Sequence, residues 1–137
     1  MSGPGAVELR SRFVVDDEVL SALHDAAFGS GGAVVPWSDR LRRFSVSWIG
    51  AFDGARLVGF VHAVWDGGRH DFLLDTAVDP AHQHQGLGCA LVARLAEDVR
   101  EAGCEWLHVD YEQDLQQFYE DACGFAPTRA GLLRLIA

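Results

Sequence analysis

Val78-Asp79-Pro80-Ala81-His82-Gln83-His84-Gln85-Gly86-Leu87-Gly88 separates two stretches with different hydrophobic periods. Before it, Asp71 to Val78 reads as a strand, and Pro80 bars its continuation as a central strand. After it, Gly88, Leu91, Val92, Leu95 and Val99 fall on one helical face, while Arg94, Glu97, Asp98 and Glu101 fall on another. The helix is expected from Gly86 to Ala102, with Gly103 suited to end it. Trp106 to Tyr111 then reads as a strand. Strand, glycine loop, helix and strand together predict a right-handed β-α-β crossover between parallel strands.

A glycine-rich turn at a helix N-terminus suits an anion. The first N–H groups of a helix lack internal partners, and glycine lets a phosphate approach the backbone. Gln85, Gly86, Leu87, Gly88 and Cys89 would supply those groups. Two nucleotide motifs fail here. The chain contains no lysine, so it carries no P-loop, and Leu91 stands where a dinucleotide fingerprint needs its third glycine. What remains is Gln-x-x-Gly-x-Gly, beginning at Gln83.

Upstream, Asp53-Gly54 predicts a tight hairpin between Ser47–Phe52 and Arg56–Trp65. Further back, Val7 to Val14 suggests a strand. Asp16 suggests the cap of a helix with Val19, Leu20, Leu23 and Ala27 on one face. Ser38 is expected to cap a short helix through Phe44. Downstream, Asp114 with Gln117 suggests a capping box, followed by a helical face of Leu115, Phe118, Tyr119 and Ala122. Leu132 to Ile136 is expected as a last strand, with a further one near Phe125 to Thr128. The predicted order, β-α-α-β-β-β-α-β-α-β, implies an α+β fold: a mixed central sheet flanked by helices, as one domain over residues 1–137.

The series Val78-Asp79-Pro80, Gln83-x-x-Gly86-x-Gly88, amphipathic helix, strand and Phe118-Tyr119-Glu120-Asp121-Ala122-Cys123-Gly124-Phe125 resembles the GNAT superfamily of N-acetyltransferases. The hairpin residues Arg56-Leu57-Val58-Gly59-Phe60 fit the same resemblance, which covers about residues 45–128. It implies acetyl-CoA as cosubstrate, bound by Gln83, His84, Gln85, Gly86, Leu87, Gly88 and Cys89. A β-strand N–H near Ala77 or Val78 would hold the thioester oxygen. An amine would attack directly in a ternary complex, with Tyr119 as the acid for the departing thiolate. The bland alternative is that Tyr119 only packs beside Phe118 and Leu115. Tyr119 precedes Gly124 by five residues where four is usual in the family, so a bulge or a shifted helix end is required.

The general base is less legible. Asp75, three residues before Val78, is a candidate, with a structural hydrogen-bond acceptor as the equal alternative. His108, Asp110 and Glu112 alternate with Leu107, Val109 and Tyr111, and parity does not say which set faces the cleft. His62 reads as a core or surface histidine. His82 and His84 lack the partner cluster that zinc requires, so no metal is expected.

Composition narrows the classes. The formal net charge is −9, from 11 basic and 20 acidic residues, and the densest basic group is Arg40, Arg42 and Arg43. This argues against a nucleic-acid partner. No apolar run approaches the roughly 18 residues of a membrane span. No secretory leader is visible in Met1 to Ala6, and three widely spaced cysteines (89, 104, 123) make no disulfide framework. The expectation is a cytoplasmic enzyme with a small-molecule or peptide amine as acceptor, and a homodimer is compatible with it. A non-catalytic acyl-CoA sensor or a protein-interaction module on the same fold is the alternative.

Overall fold

A computed structural model describes residues 6–136. Met1 to Gly5, read above for a leader, lie outside them, as does Ala137. Strands β1 (Val7–Ser11), β2 (Ser45–Asp53), β3 (Arg56–Val64), β4 (His70–Val78) and β5 (Trp106–His108) form one sheet in the order β1-β2-β3-β4-β5. The first four pair antiparallel, and β4 pairs parallel with β5. Helices α1 (Asp17–Phe28), α2 (Trp37–Phe44) and α3 (Leu87–Glu101) cover the sheet.

Local chemistry explains most of these bounds. The Val19 N–H donates to Asp16 Oδ1 at 3.1 Å, and Gly29 ends α1 in a left-handed conformation. Asp53 pairs with Arg56, so the two-residue hairpin loop is Gly54-Ala55, one residue later than the sequence suggests. Ser38 does not cap α2. That helix starts at Trp37 without a side-chain cap, and the Ser38 N–H is held at 2.7 Å by Asp17 Oδ1 of α1. A tertiary contact therefore does the work expected of a local one.

The two faces of the sheet carry separate cores. Leu20, Leu23, Trp37 and Leu41 of α1 and α2 pack on Leu57, Phe60 and Ala77. Leu91, Val92, Leu95 and Val99 of α3 pack on the opposite face, against Ile49, Val58, Val61 and Leu73. The predicted apolar face of α3 is thus the buried one. Val19, placed on the buried face of α1 by the sequence, is about half exposed.

Beyond Trp106 the structure departs further from expectation. The β5 ladder is three residues long instead of six, although Leu107, Val109 and Tyr111 turn toward the core and settle the parity. Residues Gln113–Leu115 form a 3₁₀ turn and Gln117–Ala122 a π-helical one. No capping-box hydrogen bond forms from Asp114, and Leu115 and Ala122 lie exposed. Neither Phe125–Thr128 nor Leu132–Ile136 is a strand. Leu132 is 95% exposed and Ile136 76%. An apolar run has no extended conformation of its own to hold; it needs a ladder partner, and none is in register here. Among the described residues, no helix is long and apolar enough to cross a membrane.

Candidate active site

The parallel ladder ends at Phe72↔His108, while β4 runs on to Val78. From Leu73 onward β4 therefore presents an edge that β5 no longer covers. The Asp79 N–H donates to the Val58 carbonyl at 2.8 Å. Antiparallel alternation then turns the Ala77 N–H toward β3 and the Val78 N–H toward the open edge. Of the two residues named from the sequence, Val78 is the one able to offer a donor there. Asp79 also fixes the corner after the strand: it accepts from the Ala81 N–H at 2.9 Å and pairs with Arg56 at 2.7 Å.

The glycine loop follows this corner. His84 and Gly86 are both left-handed, with φ of 63° and 78°, and α3 begins at Leu87 with no side-chain cap. The first internal bond of α3 runs from Ala90 N–H to Gly86 O at 3.1 Å. The N–H groups of Leu87, Gly88 and Cys89 are thus without helical partners and point out of the helix start, where its dipole is positive. Gln83, His84, Gln85 and Gly86 are exposed around them. Gly88 has a second reason to be glycine. A Cβ there would lie 3.0 Å from Phe118 Cε1, so a larger side chain meets Phe118 before any ligand. His82 turns away from the loop, with Nε2 3.3 Å from Asp53 Oδ2. No group of three or more histidine, cysteine or acidic side chains able to hold a metal occurs among the described residues.

Tyr119 reaches this region because of an irregular helix. The Cys123 N–H bonds to Phe118 O at 2.9 Å, an i→i+5 closure. The π-turn absorbs the extra residue between Tyr119 and Gly124. Tyr119 is buried against the α3 face of the sheet, among Phe118, Tyr111 and Phe125. Its hydroxyl donates to Thr76 Oγ1 of β4 at 3.2 Å. Burial pushes its pKa above the ordinary phenol value, only partly offset by Thr76. It therefore remains a proton donor at neutral pH.

Asp75 precedes Thr76 and faces the other way. β3 advances two residues, from Phe60 to His62, while β4 advances three, from Ala77 to Leu74. This bulge re-aims the side chains. Asp75 itself is left-handed, with φ 60°, an uncommon state for a non-glycine residue. Its Oδ1 lies 3.0 Å from His24 Nε2 and its Oδ2 2.7 Å from His62 Nε2. The outer nitrogens bond in turn to serines: His24 Nδ1 to Ser30 Oγ at 3.1 Å, and His62 Nδ1 to Ser45 Oγ at 2.9 Å. Burial works against the charged carboxylate, but the two histidines outweigh it and hold the pKa below the ordinary aspartate value.

Tyr119 and Asp75, both named from the sequence, thus meet consecutive positions of β4, whose side chains alternate between faces as in any strand. The bulge sets which face each takes, since Leu73 and Ala77, four residues apart, lie in opposite cores. Thr76 and His24 were not legible as site residues. His24 lies four residues after Leu20, on the buried stripe of α1, and a polar residue on that stripe was the available signal. His108, by contrast, bonds to exposed His70 at the far end of β4, away from this group. A cavity of about 880 Å³ is also elsewhere. It lies between α3, β5 and the C-terminal run, lined by Val92, Ala96, Val109, Phe125 and Gly131, and shares only Cys89 with the loop.

Residues 17–125 match the acetyltransferase (GNAT) family. Among curated proteins, the chain is 39% identical over 59 residues to a probable glucosamine 6-phosphate N-acetyltransferase 2 of Oryza sativa subsp. japonica; the match covers 43% of this chain and 35% of that one. The chain therefore spans about a third of the length of that relative. Among solved structures, an acetyltransferase of Trypanosoma brucei superposes with a TM-score of 0.73 at 25% identity, over 94% of this chain and 99% of the other. An aminoglycoside N-acetyltransferase in complex with CoA superposes with a TM-score of 0.75 at 17% identity, over 93% of each chain. With most of its length matched and the same five-strand architecture, the chain belongs to the GNAT family of acetyltransferases.

Proposed function

We propose that the chain transfers an acetyl group from acetyl-CoA to a small-molecule or peptide amine by direct attack within a ternary complex. The observation that carries this reading is the open β4 edge running into an uncapped helix start. It offers N–H donors at two places along one path, Val78 on the strand edge and Leu87, Gly88 and Cys89 at the helix start. In this reading the pyrophosphate of acetyl-CoA lies on the loop from Gln83 to Cys89. The pantetheine arm passes between β4 and β5, and the thioester oxygen takes the Val78 N–H, a preorganised donor for the developing oxyanion. Tyr119, protonated and anchored at Thr76, supplies the proton to the departing sulfur.

The acceptor would approach from the α1 side, where Asp75 lies. The rice relative is named for an amino sugar phosphate, which favours a small amine. Three free cysteines fit the reducing cytoplasm expected from the sequence. The test is an acetylation assay over a panel of amines, detecting free thiol, beside calorimetry with acetyl-CoA. Binding with thiol release on one class of amine supports the reading. Binding without transfer to any amine would mark a sensor, and no binding at all would leave a fold used for protein contacts.

A further inference from the structure

We propose that His24 is the general base of this reaction: Asp75 holds its Nε2–H, and its Nδ1 takes a proton from the acceptor's ammonium group. The inference rests on the acetyltransferase reading above and adds a catalytic histidine from α1, with Asp75 as its positioning residue.

Both carboxylate oxygens of Asp75 are engaged, one by each histidine. An ionised carboxylate only accepts hydrogen bonds, so each Nε2 must carry a proton. In the neutral tautomer with Nε2–H, Nδ1 is the acceptor, the arrangement by which an aspartate prepares a histidine for proton transfer. The two histidines are not equivalent. The His62 side chain is 4% exposed and its Nδ1 is closed off by Ser45. The His24 side chain is 19% exposed, and its Nδ1 meets the hydroxyl of Ser30 in the glycine loop after α1. A neutral hydroxyl is a partner that an incoming amine or water can replace.

Position agrees with this role. Asp75 and Thr76 are adjacent, so the His24 group lies on one face of β4 and the Tyr119 hydroxyl on the other, with the open edge between them. The left-handed backbone at Asp75 is an uncommon state that persists mainly where the surroundings impose it, often at functional sites. The groups facing His24 are few. Asp75 comes from β4 and His62 from β3. Arg40 of α2 lies over the Trp37 ring against which His24 packs. Asp25 of its own helix is turned to the Gly32 N–H.

The proton balance closes. His24 Nδ1 accepts one proton from R–NH₃⁺, and the freed amine forms the C–N bond at the thioester carbon. The C–S bond then breaks, and sulfur takes the Tyr119 proton. The second amine proton returns to the tyrosine oxygen, and His24 releases its proton to solvent.

The experiment compares wild type, His24→Gln, His62→Gln and Asp75→Asn. Each is checked by calorimetry with acetyl-CoA, then assayed for kcat and KM across pH with the preferred amine. Histidine ¹⁵N shifts report the tautomers. We expect His24→Gln to lower kcat by about 10²–10³-fold and to flatten the acid limb of the profile, with acetyl-CoA affinity within about twofold. Asp75→Asn should shift the His24 tautomer away from Nε2–H and lower kcat, and His62→Gln should cost less than tenfold. If His24→Gln keeps kcat within about threefold and the same acid limb in an active enzyme, His24 is not the base. The same holds if wild-type His24 carries its proton on Nδ1. If wild type binds acetyl-CoA but acetylates nothing, the functional reading fails first and takes the base assignment with it.

Discussion

Between Val7 and Glu101 the chain makes four antiparallel strands with helices packed on both faces, whereas beyond Trp106 one ladder lasts three pairs and five large aliphatic residues, Leu115, Leu132, Leu133, Leu135 and Ile136, are exposed. The difference lies in where each apolar residue finds its partner. Strands β2, β3 and β4 meet through short connections, so their pairing needs little beyond local turn chemistry. Leu132 to Ile136 are just as apolar, but their partner would have to be the outer edge of β5, across a cavity of about 880 Å³. The proposed site occupies the seam between the two regions, where β4 continues and β5 stops. A parallel ladder that stops early leaves backbone donors unspent along the far half of β4, and a ligand can use them.

The largest expected effect crosses that seam. Tyr119→Phe keeps the packing and removes the hydroxyl, so kcat should fall ~10²–10⁴-fold, or about 3–5 kcal/mol on the barrier, with acetyl-CoA affinity little changed. Retention of most of kcat while chemistry is rate-limiting would show that the π-turn does not aim Tyr119 at the sulfur. Within the well-packed region, Leu95→Ala should cost ~2–5 kcal/mol in denaturant melts, because the side chain is fully buried between α3 and the sheet. A loss below about 1 kcal/mol would mean that this core is as loose as the C-terminal region.

A third test concerns Asp71, where the two regions join. It is fully buried at the β4–β5 ladder, and neither carboxylate oxygen has a hydrogen-bond partner. The Cys104 thiol nearby is directed to the carbonyls of Arg69 and Trp106 at 3.2 and 3.1 Å. Burial raises the pKa of Asp71, so the folded state holds the carboxyl proton more tightly than the unfolded chain. Stability should therefore fall as pH rises from the unfolded value, near ~3.9, through the raised one. Asp71→Asn lacks this loss and should gain on wild type as pH increases to 7, with no gain below about pH 4. A difference that stays constant across melts from pH 3 to 7 would refute the assignment. The smallest effect belongs to the tail. Leu135→Ser should change stability by no more than about 0.5 kcal/mol, the usual range for an exposed position. A cost of several kcal/mol, or one that grows with protein concentration, would show that the tail is buried in solution.

How far the site was legible follows the same division. The loop from Gln83 to Cys89 could be read because the role proposed for it falls to backbone N–H groups, and glycine positions advertise backbone. Tyr119 could be named by resemblance, but its reach depended on a π-turn that only the five-residue spacing hinted at. Asp75 was visible as a carboxylate three residues before Val78. That it would be shared by two histidines, from positions 51 residues before it and 13 residues before it, was not.

The sequence by itself determined what short-range physics controls. The helix ends at Asp16 and Gly103, the presence of a hairpin within one residue of Asp53-Gly54, the buried stripe of α3 and the glycine loop at its start all follow from period, turn chemistry and helix ends. Tertiary structure alone decided the rest. The bulge between Leu74 and Ala77 reverses the alternation along β4, so that Leu73 and Ala77 lie in opposite cores and Asp75 turns to the α1 side, and the early end of β5 opens the β4 edge. Both are register events. Register depends on which strands meet and how they twist, and a pattern that repeats every second residue looks the same before and after one residue is inserted.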